Sequence, residues 1–184
     1  SGRRVKVGRE PPILMRRTER RMQPAPLPPN EPQRLEALRR FGVLDTLPEQ
    51  GYDDITLMAA QICGTPIAAV SLVDTDRQWF KSRVGLTVAQ TPRDVAFCSH
   101  AILEPDRLCV VPDAVADPRF SDNPLVTDEP GVRFYAGAPL VTSGGDALGT
   151  LCVIDRVVRH LTPDQERALA ALARQVMSQL ELRR

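Results

Sequence analysis

Apolar positions along this chain change period several times, and each change marks an element. Leu35, Leu38 and Phe41 recur at intervals of three and predict a short amphipathic helix. Asn30 stands at its N-cap with Gln33 completing a capping-box-like start, and Gly42 offers a left-handed end. A second helix is predicted from about Gly51 on Tyr52, Ile55, Met58 with Ala59, and Ile62, closed by Gly64 and Pro66. The run Ile67–Val73 is apolar almost throughout, as in a strand buried on both faces. Asp74-Thr75-Asp76 turns the chain, and in Arg77–Val84 the alternation places Trp79, Lys81 and Arg83 on one face. These two strands read as an antiparallel hairpin.

Residues 85–131 lose that regularity. Prolines fall at 92, 105, 112, 118, 124 and 130, with a short apolar piece near Val95–Leu103 and a brief strand at Leu108–Val111. A stretch this long between strands is uncommon in a compact domain unless it carries function, so it is the expected binding lid. Regular structure returns as a second hairpin, Val132–Val141 and Ala147–Asp155, around a turn at Ser143-Gly144-Gly145-Asp146. Thr162, Pro163 and Gln165 then open a helix that runs to the end of the chain, with Leu169, Leu172, Val176 and Leu180 in its stripe. The order predicts an α+β domain: one antiparallel sheet with helices packed against it. Its two most apolar strands, Ile67–Val73 and Leu148–Ile154, should be neighbours in the middle.

Length and charge divide the chain. At 184 residues and net charge +1, one domain with a sizeable core is expected. Residues 1–23 nevertheless hold eight Arg or Lys against two Glu, leaving 16 basic and 21 acidic residues for the rest. Seven of the 17 prolines lie in residues 11–32. Residues 1–29 therefore read as a flexible, basic, proline-rich arm and residues 30–184 as the domain, with Met22 a candidate start. Arg16, Arg17, Arg20 and Arg21 have no interleaved aromatic on which bases could stack, so no nucleic-acid partner is expected. No apolar run approaches a membrane span. Cys63, Cys98, Cys109 and Cys152 form no CxxC and suggest neither zinc nor a disulfide framework, which fits a reducing cytoplasm.

From Arg34 onward the chain resembles a GAF domain of the bacterial sensory, signal-transduction type. The phrases that carry the likeness include Arg34-Leu35-Glu36-Ala37-Leu38, Ala69–Asp74 running into Arg77–Ser82, and Thr91-Pro92-Arg93. They continue through Phe97-Cys98-Ser99-His100-Ala101-Ile102, Val111–Ala114, Asp117–Pro124, Arg133–Leu140 and Leu148–Asp155. The resemblance implies a six-stranded antiparallel sheet, a pocket roofed by the middle segment, and a homodimer through terminal helices. It also implies a small-molecule ligand of unknown identity and a downstream kinase or cyclase module.

Candidate pocket residues follow from the chemistry of the side chains. Trp79, the sole tryptophan, beside Lys81 either walls a pocket or caps the helix layer. Phe97-Cys98-Ser99-His100 offers a thiol whose pKa would fall near a helix start, and one of two histidines. The same pieces also suit a small buried cysteine and a histidine that fixes the lid by hydrogen bonding. Asp113, Asp117, Arg119, Asp122 and Asn123, interleaved with proline and Phe120, fit Asx-type turns that order a loop. Arg93, Arg119 or Arg133 could instead clamp a carboxylate or phosphate. Phe97, Phe120, Phe134 and Tyr135 either line the cavity or fill it.

The preferred expectation is a non-catalytic sensory or regulatory domain that binds a small ligand or relays a signal through its terminal helices. A ligand-free dimerisation module is one alternative. Another is the thiol enzyme branch of the family, which reduces free methionine-R-sulfoxide. Cys98 and Cys109 match two of that branch's cysteine places, but Ala114–Tyr135 holds no cysteine where its nucleophile belongs.

Overall fold

A computed structural model describes residues 22–183. The expected arm falls largely outside the described residues; of it, residues 22–29 are irregular chain leading to α1, Glu31–Arg40. Asn30 precedes this helix, but its side chain does not cap it. Its amide donates instead to Asp146 in the turn of the second hairpin, 2.8 Å away, so tertiary contact takes the place of the expected capping box. Gly42 is left-handed at φ 57°.

Helix α2, Gln50–Cys63, ends on Gly64 at φ 66°, as its sequence demands. Its buried stripe is Tyr52, Ile55, Thr56, Ala59, Ala60 and Cys63. Met58 and Ile62, expected on that stripe, are 42% and 45% exposed with Leu57 beside them at 47%.

Strands β1 (Ile67–Val73) and β2 (Arg77–Val84) form the first hairpin. β3 (Gln90–Pro92) adds to the edge of β2, a strand too short to show in the sequence pattern. A short helix α3 (Cys98–Ala101), β4 (Cys109–Val111) and a second short helix α4 (Pro124–Thr127) punctuate the middle segment. β5 (Phe134–Val141), β6 (Ala147–Asp155) and α5 (Pro163–Glu181) complete the chain. The sheet is antiparallel in every pairing, in the order β3-β2-β1-β6-β5-β4. The two most apolar strands, β1 and β6, are the central neighbours.

The sheet separates two cores. Ala68, Val70 and Leu72 of β1 point to one face, where Leu151 and Val153 of β6 and Phe134 and Leu140 of β5 join Leu38, Tyr52, Leu169 and Val176 from the helices. Ala69 and Val73 point to the other, where Cys152 and Tyr135 meet Phe97, Ile102, Phe120, Val126 and Val132 of the middle segment. The proline-dotted stretch therefore folds back over the sheet face opposite α2 and α5. Period-two alternation puts the two cores on opposite faces of the same strands.

Candidate functional site

A bulge decides which side chains of β2 can reach the lid. Val70 pairs with Ser82 and Ser71 with Phe80, so Lys81 has no partner in β1. One extra residue reverses the alternation beyond it. Trp79 joins the helix-side core and Phe80 the lid-side core. Lys81 turns toward α2: its Nζ is 2.8 Å from Thr46 Oγ1 and 2.6 Å from Leu47 O, pairs with Glu49, and lies 5.3 Å from the centre of the Tyr52 ring. Arg83, expected beside them, donates to Leu86 O in the lid-side loop at 3.2 Å.

Three candidates are thus placed away from the lid. Trp79, Lys81 and Phe134 belong to the helix side of the sheet. Arg93 is buried at the lid's edge, but its guanidinium bonds the Glu31 carboxylate and Asp74 O, the latter at 2.9 Å. Glu31 also takes Arg34 Nε at 2.8 Å and Nη2 at 3.0 Å. Burial of this carboxyl favours protonation, but hydrogen bonds from Arg34 and Arg93 outweigh it and hold its pKa near 2. Arg93 clamps the lid to α1 through Nη1.

The remaining candidates do gather. Phe97 stacks on Phe120 with centroids 4.1 Å apart and rings 7° from parallel, and Tyr135 tilts against Phe97 at 5.2 Å. His100 meets Phe120 edge-on at 4.8 Å, and the Arg119 guanidinium lies 5.0 Å from the centre of that ring. Asp117 receives Arg119 through Nε at 3.1 Å and Nη2 at 2.8 Å. Burial lowers the His100 pKa, the Arg119 cation adds to the effect, and Asp117 opposes it.

Loop order comes from three side chains that each bond the backbone two residues ahead. Asp113 accepts from Val115 N at 3.1 Å, Asp117 from Arg119 N at 3.0 Å and Asn123 from Leu125 N at 2.9 Å. These are the Asx turns that the sequence suggests. Asn123 also reaches across to Val95 O at 3.0 Å, tying the two halves of the lid. Asp113 serves this scaffold, and Arg119 is committed to Asp117.

Under the lid lies an apolar cavity of about 70 Å³, lined by Phe80, Leu86, Val88, Phe97, Tyr135 and Ile154 among others. Its polar groups are few and concentrated. Cys98 Sγ is 3.1 Å from Tyr135 Oη and 3.0 Å from Thr150 Oγ1, which are 3.3 Å from each other. Cys152 also lines the cavity, two residues beyond Thr150 on the same strand. Burial pushes the Cys98 thiol up, but the hydrogen bonds of Cys152, Ser71, Thr150 and Tyr135 bring it down to about 7. Cys152 moves the other way, well above the ordinary thiol range, first through its hydrogen bond to Cys98 and then through burial. The thiolate-favouring influence on Cys98 is this ring of donors rather than a helix start.

Sequence reading missed Thr150, Cys152 and Gly137. Thr150 and Cys152 alternate along an apolar strand and therefore read as core. Gly137 read as an ordinary strand residue, yet a Cβ there would lie 2.2 Å from the Tyr135 hydroxyl, so only glycine lets this ring lie along the sheet toward Cys98. A second, polar recess of about 250 Å³ lies at the β4 edge, lined by His100, Glu104, Arg107, Cys109 and Arg119. There burial pushes the Cys109 thiol up to about 11.

Comparison with known proteins agrees with this architecture. A cyclic di-GMP phosphodiesterase of Pseudomonas aeruginosa is 44% identical over 162 residues, which is 86% of this chain but 27% of that protein. This chain therefore spans about a quarter of that relative. The GAF domain of a Coxiella burnetii phosphoenolpyruvate-protein phosphotransferase superposes with TM-score 0.60 at 16% identity, over 81% of this chain and 93% of that one. Free methionine-R-sulfoxide reductase of Neisseria meningitidis, solved with its substrate, gives 0.57 at 19%, over 82% and 85%. At those identities the two structures speak to the fold alone. The GAF domain family matches residues 48–180. The chain belongs to that family.

Proposed function

We propose that this is a regulatory GAF domain in which a small, largely apolar ligand under the lid biases the arrangement of the terminal helices. The observation that carries the reading is the placement of the cavity. It lies between the middle segment and the sheet, while α2 and α5 pack on the opposite face of the same strands. A ligand that changes lid packing acts on β1 and β6, and through them on both helices. Differential affinity of ~1.4 kcal/mol for one arrangement changes the equilibrium tenfold.

The cavity restricts the ligand class. At about 70 Å³ it is smaller than the ~150 Å³ engineered cavity that takes benzene. A cyclic nucleotide, a bilin or haem requires the lid to open. A thermal-shift screen of small metabolites, with cyclic nucleotides alongside, tests the reading. A ligand binding only the native state adds ~2.7 kcal/mol of stability at a hundredfold excess over its Kd. Stabilisation abolished by filling the cavity with Val132→Phe supports the site; stabilisation indifferent to it refutes it.

The partner expected on the helix side is a second copy of the chain. Leu57, Met58 and Ile62 are exposed on α2, whose other face packs against the domain beside α5. Sedimentation velocity checks this: Met58→Asp should shift a dimer to monomer. The kinship with a phosphodiesterase of cyclic di-GMP supports a cytoplasmic setting and a downstream module that makes, breaks or answers a phosphorylated second messenger. Methionine sulfoxide turnover with a thiol reductant is expected to be absent, because residues 114–135 contain no cysteine.

A further inference from the structure

Cys98 and Cys152 come from different parts of the fold and meet at one point. Cys98 opens α3 in the lid. Cys152 lies at the centre of the sheet, paired with Ala69 of β1 and Gly137 of β5. Each is 1% exposed and both line the same cavity, and Cys98 Sγ lies 3.0 Å from Thr150 Oγ1, two residues before Cys152 on β6. The hydroxyls of Tyr135 and Thr150 both lie within hydrogen-bond distance of the Cys98 sulfur.

We propose that Cys98 and Cys152 are a peroxide-reactive thiol pair, oxidised by a small uncharged hydroperoxide that enters the apolar cavity, and that the resulting disulfide fastens the lid to the central strand. Cys98 is the attacking sulfur because its thiolate is the one that donors surround. Cys152, which favours its protonated form, is the resolving partner.

The steps balance. Cys98 thiolate attacks the terminal peroxide oxygen; an S–O bond forms, the O–O bond breaks, and the departing alkoxide takes a proton to leave as alcohol, or as water from hydrogen peroxide. The Tyr135 or Thr150 hydroxyl, both within hydrogen-bond reach of the sulfur, can hand over that proton and recover it from water. Cys152 then gives up its proton and attacks the sulfenic sulfur; the S–S bond forms and hydroxide leaves as water with that proton. Two thiols lose two electrons in total, and one hydroperoxide is reduced to an alcohol and water.

The lining selects the oxidant. Leu86, Leu125, Val132 and Ile154 offer no partner to a charged group, and a charged oxidant or a glutathione molecule would have to shed its hydration to enter. Val88, 48% exposed, is where the lining meets solvent. Cys109 and Cys63 stay out of the reaction: burial raises both thiol pKa values, and neither borders this cavity. The pair reacts whether or not another ligand uses the site. A blank ligand screen leaves this proposal standing, and an inert pair leaves the ligand-binding reading standing.

The test uses the full chain, reduced and freed of reductant, then treated with ethyl hydroperoxide or hydrogen peroxide. The expected product runs as a single chain on a non-reducing denaturing gel and is lighter by about 2 Da, with two of the four thiols lost to titration under denaturing conditions and restored by dithiothreitol. Trypsin should release Asp94–Arg107 joined to Phe134–Arg156. Cys152→Ser should trap the Cys98 sulfenic acid for capture by dimedone. Cys98→Ser should abolish reaction, and Cys109→Ser should leave the rate unchanged. Four thiols still titratable after excess peroxide would overturn the proposal, as would a disulfide mapped to Cys63 or Cys109. The peptide map of the unsubstituted protein decides the matter even where a variant folds poorly.

Discussion

The two faces of this sheet are built by opposite means. On the helix side, α2 with 14 residues and α5 with 19 lay long apolar stripes on the strands. Each helix carries its own capping and periodicity, and burial does the rest. On the lid side, α3 and α4 have four residues each and neither would form alone. Order there rests on three Asx turns, a stack of aromatic rings and a polar knot of the Cys98 thiol, a tyrosine and a threonine. A surface assembled from short, mutually dependent pieces opens at lower free energy than one built on long helices, and binding segments are drawn from that low-stability end. The difference teaches where a response can originate: the lid is the part that can change without unfolding the rest.

The strongest way to break the comparison is to strike the sheet that both faces share. At Gly149 a Cβ would lie 1.9 Å from Ser71 O and 2.8 Å from Leu72 Cα, both backbone atoms of the adjoining strand. Backbone cannot step aside as a side chain can. Gly149→Ala should cost more than about 3 kcal/mol and fail to give a cooperative unfolding transition in urea. A stable Gly149→Ala protein would mean that β1 and β6 are less tightly joined than their pairing indicates.

Next in size are matched truncations on either face. Leu151 and Phe120 are both fully buried, one in each core. Leu151→Ala should lower global stability by about 2–5 kcal/mol. Phe120→Ala removes more atoms, yet the lid can collapse around the gap, so its global cost should stay below about 2 kcal/mol. Hydrogen exchange should quicken over residues 97–132 in the second variant and throughout the sheet in the first. Equal costs and equal exchange patterns would erase the distinction between a scaffold and a lid.

Glu31 is where the two sides are tied, since Arg34 reaches it from α1 and Arg93 from the lid. Its carboxyl, ordinarily near 4.5, is held near 2: burial opposes ionisation and the two guanidinium groups more than offset it. A depressed folded-state value means the contribution is complete above pH 4.5 and fades as pH falls toward 2. Glu31→Gln should therefore cost roughly 2–3 kcal/mol at pH 7, and the gap from the unsubstituted protein should narrow below pH 4.5. Urea midpoints at several pH values measure it; a gap constant with pH would remove Glu31 as the tie.

The helix side was legible in the sequence because its physics is periodic. β1, β2 and β6 run between the residues where alternation and turn chemistry place them, and Gly64 and Thr162 end and begin helices as their types require. The lid was legible only in part. Asp113, Asp117 and Asn123 announced turns, but β3 and α3 are too short to set a period. The site was hardest. One bulged residue at Lys81 sends Arg83 to the other face, and no propensity signals a bulge. Cys152 was hidden for a different reason: a thiol in an apolar strand looks like core until its neighbour across space is known.

The smallest expected effect tests whether fraying a single turn of α5 is felt across the sheet. Thr162 Oγ1 accepts from Gln165 N at 3.2 Å and Gln165 Oε1 accepts from Thr162 N at 2.9 Å, a reciprocal cap on α5. Gln165 Nε2 also donates to Ile62 O at 3.1 Å, so this cap fastens the start of α5 to the end of α2. Thr162→Ala should cost about 1 kcal/mol and fray the first turn of α5, seen as faster exchange at Gln165–Arg167. The lid lies across the sheet from this turn, and its exchange should change little, because one frayed turn leaves Leu169, Val176 and Leu180 in the core. Quickened exchange at Phe97–Ile102 would show that even a small loosening of α5 crosses the strands. It would dissolve the separation of the faces and leave a single cooperative unit, in which no event at the lid could reach the helices without loosening the whole domain.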